Sequence, residues 1–138
     1  MKKSFIWKNI IIWLIVLTAM AVFLNRGSAV GMKSSDRELV VSGNSGASVT
    51  IAYADIQTIE MREYLDYGTV VDGVDGKKEK SGTWKNEEFG EYRLCVDAKV
   101  NSCIVLYMES EIQVINIESN ESTASLYEAI LKLVDNTE

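Results

Sequence analysis

Hydrophobic residues along this chain fall into three regimes: a continuous block, an alternating stretch and a helical stripe. From Ile10 to Leu24 Thr18 alone is polar, and Lys2, Lys3 and Lys8 precede the block. Extended back to Phe5, the segment counts 20 residues. As a helix rising about 1.5 Å per residue it would cover ~30 Å, the depth of a hydrocarbon core. It is predicted to be a transmembrane helix, with Ile10, Trp13, Leu14, Leu17 and Phe23 among its anchoring side chains and Lys8 reaching back to the headgroups. The same parts make a secretory signal peptide, with Gly27 and Ala29 as its small-residue cleavage site. The anchor is favoured because the apolar run is long for a signal peptide. Both readings carry the remainder across the membrane, and the lysine flank places that remainder outside the cytoplasm by a slight margin.

Beyond the block the period is two. Val49, Ile51 and Tyr53 alternate with Thr50 and Ala52; Tyr92, Leu94 and Val96 alternate with Arg93 and Cys95; Ile112 and Val114 follow after Glu111. These are half-buried strands. Turn signals at Gly43–Gly46, Gly68, Gly73–Gly76, Gly82 and Gly90 break them at the spacing of an antiparallel sheet or small barrel. The period changes once more after Ser122, where Leu126, Tyr127, Ile130, Leu131 and Val134 recur at helical spacing behind an N-cap at Asn120 or Ser122. The expected chain is an N-terminal anchor with its basic flank (1–31), a polar tether (32–37) and a mainly β domain (38–138). In that domain one amphipathic helix closes a small antiparallel barrel or sandwich at its open end.

Several short strands followed by a single terminal helix resemble the pleckstrin-homology-like domain of bacterial proteins. The stretches that carry the likeness are Tyr53-Ala-Asp-Ile56-Gln-Thr-Ile59, Gly82-Thr-Trp-Lys-Asn-Glu-Glu-Phe-Gly-Glu-Tyr-Arg-Leu94, Cys103-Ile-Val-Leu106, Val114-Ile-Asn116 and the helix start from Thr123 to Tyr127. The resemblance implies a fold and no shared catalytic set, and superfold membership fixes no function.

Composition narrows the chemistry. The chain has 138 residues, no His, no Pro and two Cys. Without imidazole there is no Ser/His/Asp triad, no Cys/His pair and no ordinary zinc site. Residues 1–31 hold four bases and no acid, which leaves ten bases against twenty acids in the rest. A domain of net −10 repels phosphate backbones, so no nucleic-acid partner is expected. No cofactor or metal is expected either: Asp72 and Asp75 miss the spacing of a calcium loop, and Glu87 and Glu88 are adjacent rather than opposed.

Two clusters stand out. Cys95 and Cys103 flank an apparent turn at Asp97–Asn101, and a hairpin symmetric about Lys99 would set them directly opposite, within reach of a disulfide. Two reduced, partly buried thiols are an equal alternative; a redox pair is disfavoured by the spacing. Lys77, Lys78, Lys80 and Lys85 form a candidate weak anion-binding loop, interleaved with Glu79, Glu87 and Glu88. The function expected is that of a single-pass, non-enzymatic interaction module held in the cell membrane bilayer. Its protein or peptide partner would bind a sheet edge or a groove beside the helix. The alternative is a secreted or surface accessory protein, released by signal cleavage, that binds a soluble or cell-wall ligand.

Overall fold

The computed structural model describes residues 29–137. The proposed anchor or signal segment, with Ile10, Trp13, Leu14, Leu17 and Phe23, lies outside the described residues, and among those described no helix is long and apolar enough to cross a membrane. The domain is mainly β, in two sheets with one C-terminal helix. Strands β1 (Val30–Ser34), β2 (Glu38–Gly43) and β3 (Ser48–Ala52) form a three-stranded antiparallel sheet. A 3₁₀ turn at Tyr53–Asp55 leads into β4 (Ile56–Glu63), β5 (Thr69–Asp75), β6 (Glu79–Asn86), β7 (Gly90–Asp97), β8 (Ser102–Met108) and β9 (Ile112–Ile115). These pair in the order β4-β8-β9-β7-β6-β5, and helix α1 (Asn120–Thr137) follows.

The six-stranded sheet buries both faces. On one, Cys95, Ile104, Leu106 and Ile115 meet Leu39, Val41, Val49 and Ile51 of the small sheet and Leu126, Ala129, Ile130 and Leu133 of α1. On the other, Leu94, Val96, Cys103, Val105 and Val114 pack with Trp84, Tyr92 and Leu65. Each fully buried aliphatic chain contributes roughly 1.5–3 kcal/mol of transfer free energy. Double coverage is why Ser102–Leu106 is buried at every position instead of alternating.

The second core exists because the sheet curls. Strands β4 and β5 stand at its two edges yet are joined by Tyr64–Gly68 alone. Such a link reaches about 21 Å when extended, whereas a flat sheet of this width needs ~24 Å sideways and a strand length besides. The β6–β7 turn accordingly folds back to β4 and β8: Phe89 packs edge-on to Tyr107 at 6.3 Å, and Arg62 donates to both Glu88 carboxylate oxygens at 2.8 and 3.0 Å. The curl stops short of a closed barrel, since β4 and β5 remain its two edges.

Four expectations are corrected. The expected boundaries at 31 and 32–37 do not hold, because β1, which takes Val30 and Gly31 from the anchor region and 32–34 from the tether, pairs with β2 from Val30↔Gly43 to Ser34↔Leu39 and buries Val30 and Met32. Helix α1 does not plug a barrel mouth; it lies beside the small sheet, across β8, β4 and the 3₁₀ turn. Its N-cap is Ser119, whose Oγ accepts from Ser122 N–H at 3.0 Å, while Asn120 Oδ1 is occupied by Ser102 N–H. The β7–β8 hairpin does not form. Strand β9 comes between the two, parallel to β7 (Cys95↔Ile115) and antiparallel to β8 (Ile104↔Ile115).

Candidate functional site

That intercalation decides the cysteines. Cys95 belongs to the core under α1 and Cys103 to the core inside the curl, on opposite faces of one sheet. Both are free and buried. Burial, with the charge of Glu79, pushes the Cys95 thiol up to about 12. Burial also raises Cys103, to about 11, against the lowering effect of the Tyr67 hydroxyl bonded to it. At neutral pH both are protonated and poor nucleophiles. Among the described residues no group of three or more His, Cys, Asp and Glu is placed to hold a metal.

The four lysines are spread along a hairpin rather than gathered. Lys77 and Lys78 are exposed in the β5–β6 turn, and Lys85 is exposed toward the other end of β6. Lys80 is engaged by Asp75, with its Nζ 5.2 Å from the centre of the Trp84 ring. No single anion could touch all four.

Two polar groups that the sequence reading passed over hold the architecture. Glu79 is 7% exposed, and its carboxylate accepts from Ser45 N–H at 3.0 Å, from the Ser45 hydroxyl and from the Ser81 hydroxyl at 2.6 Å. It fastens the β2–β3 turn of the small sheet to β6. Burial alone would raise its pKa, but the hydrogen bonds from Ser45, Ser81 and the Asn44 backbone outweigh that and leave it below the usual carboxylate value. Asn116, fully buried, accepts from Asp97 N–H at 2.6 Å and donates to the carbonyls of Asp97 and Ser102, each at 3.1 Å. It fills the place that a direct β7–β8 turn would occupy. A lone Asn in the apolar run Val114-Ile115-Asn116-Ile117 was the signal for it.

The surface feature with the clearest character is the Tyr64–Val71 segment. Among the described residues the exposed large hydrophobic side chains are Tyr64 (76%), Val70 (37%) and Val71 (52%). Tyr64 has φ +55°, in the left-handed region, and its N–H bonds to Asn101 O at 2.9 Å. The register with β6 slips between Val70 and Asp72, so Val71 is the bulged residue and turns outward. Beside them Arg62, Tyr64, Leu65, Asp66, Asn86 and Glu88 border a shallow cleft of about 200 Å³. The Arg62 guanidinium is already engaged by Glu60 and Glu88. Tyr92 Oη donates to Tyr67 O at 2.7 Å and Asn86 Nδ2 to Asp66 O at 2.9 Å, so the connector is fixed at Asp66 and Tyr67.

Chemically this surface offers an unpaired strand edge, apolar side chains and the carboxylates of Asp66 and Asp72. No protein-family model, curated protein or solved structure matches the chain.

Proposed function

We propose that this chain is a membrane-tethered, non-enzymatic interaction module of pleckstrin-homology-like kind whose partner adds an extended segment along β5. One observation carries the reading: the exposed large hydrophobics of the described residues all fall between Tyr64 and Val71, on and beside a sheet edge that has no neighbouring strand. Main-chain groups of such an edge supply affinity, and the side chains flanking it supply selectivity. With Asp66 and Asp72 alongside, the fitting partner is an extended peptide that alternates apolar with basic residues. Tethering is supported by the apolar block, and by the close packing of Ala29, which lies five residues beyond Leu24 and is 7% exposed with its carbonyl held by Asn44 N–H.

The test is a photo-crosslinking amino acid placed at Val71, or at Lys132 on the exposed side of α1, in the full chain expressed in its native cell. The reading expects one discrete adduct from position 71, lost when Val70 is also changed to Lys, and none from position 132. Equal adducts from both positions, or adducts from 132 only, would move the partner off β5.

A further inference from the structure

The start of the described fold meets two loops at one corner. Ala29 N–H donates to Asp97 Oδ2 at 3.2 Å, and Lys99 N–H donates to Asp97 Oδ1 at 2.9 Å. Ala98 N–H donates to Lys78 O at 2.8 Å. The β5–β6 turn, the β7–β8 loop and Ala29, the first described residue, are thereby bound together. Three lysines, Lys77, Lys78 and Lys99, are exposed there.

The acids beside the corner are buried or paired rather than displayed on its surface. Asp97 is buried on the backbone of Ala29 and Lys99, Glu79 is buried on Ser45 and Ser81, and Asp75 is paired with Lys80. Glu63, which precedes Tyr64 beside Asn101, is the nearest exposed acid of the adjoining strand. A domain whose net charge is strongly negative thus displays three exposed ammonium groups, with the acids beside them buried or paired, where the chain enters it.

Only Asn25, Arg26, Gly27 and Ser28 separate Leu24, the last residue of the apolar block, from Ala29. Extended, such a link reaches about 18 Å, and the headgroup layer itself occupies several ångströms of that. We infer that the corner of Lys77, Lys78 and Lys99 faces the bilayer and rests against anionic phospholipid headgroups, orienting the domain with its acidic remainder directed away from the membrane. The inference rests on the tethered reading and adds to it the lipid chemistry that the domain itself contacts. A cationic patch held this close feels the surface potential within a Debye length, about 8 Å, and the contact weakens with salt.

The experiment reconstitutes the full chain in vesicles of phosphatidylcholine alone or of phosphatidylcholine with phosphatidylglycerol, and labels lysines briefly with a water-soluble acylating reagent read by mass spectrometry. Lys85 and Lys132, both exposed and away from the corner, serve as internal references. Labelling of Lys77, Lys78 and Lys99 relative to those references should fall about threefold or more in the anionic vesicles and recover in high salt. Equal relative labelling in both lipids, with the chain still retained after a carbonate wash, would overturn the headgroup contact and leave the tether standing. Loss of the chain in the wash would overturn the tether and the contact together.

Discussion

Glu79 shows how a single residue can be both expensive to bury and necessary. A carboxylate at this depth is tolerated only because the β2–β3 turn and Ser81 supply donors to both its oxygens. Its depressed pKa means that the folded state favours the charged form. The resulting stability is fully present above the unfolded value, about 4.3, and is lost as pH falls through the lower folded value. Glu79→Gln should therefore cost on the order of 2–3 kcal/mol at neutral pH. It should also flatten the loss of thermal stability below that pH, which melting curves across an acid series would show. An unchanged acid limb in the variant would assign the acid sensitivity to other carboxylates. The cysteines give a second test at this scale: with both thiols buried and their pKa values raised, neither should react with a maleimide in the native protein, and both should react in denaturant without reductant. A need for reductant would mean a disulfide, and hence a different register around β9.

At the scale of elements, β5 and β6 approach closely at Gly73 and Gly82, which are paired in register. Gly82 has φ +100°, and a Cβ there would stand 2.3 Å from Asp72 O, so side chain and backbone conformation are excluded together. Gly82→Ala should destabilise the domain by roughly 2 kcal/mol or more, while Gly46→Ala, at φ +97° but with open space around its Cβ position, should cost about 1. Equal denaturation midpoints for the two would show that the bend is not held by backbone contact. On α1, Ile130 is fully buried and Lys132 is exposed. Ile130→Asp should unfold the domain and Lys132→Asp should not, as circular dichroism would report. Alternation makes β3 and β7 legible in the sequence because each keeps a regular buried and exposed rhythm or a clear apolar face, whereas β2, with its Leu39-Val40-Val41 run, shows no such signal. Strand β1 straddles the expected anchor (1–31) and tether (32–37) and gives no strand signal, because Gly31, Lys33 and Ser34 outnumber its two inward residues, Val30 and Met32. The separation of β7 from β8 is illegible for another reason: β9, which divides them, comes later in the chain, and local symmetry about Lys99 carries no information about a strand that inserts from elsewhere.

For the whole molecule, the sequence disclosed the mainly β domain and the terminal helix. The curl of the larger sheet depends on the short β4–β5 link, whose consequence appears only once the strand order is known. The candidate surface was hidden for the same reason. Val70 and Val71 look like ordinary strand residues until β5 proves to be an edge and Val71 its bulge. The lysines expected to hold an anion in one loop instead divide: Lys77 and Lys78 join Lys99 at the corner beside Ala29, and Lys80 is committed to Asp75 and Trp84. Both the peptide-binding reading and the headgroup contact depend on the apolar block staying attached to the domain. The direct measurement is mass spectrometry of the protein isolated from carbonate-washed native membranes. The account predicts peptides in which residues before Ala29 run unbroken into β1; a soluble form whose first residue lies near Val30, with nothing retained in the membrane, would contradict it.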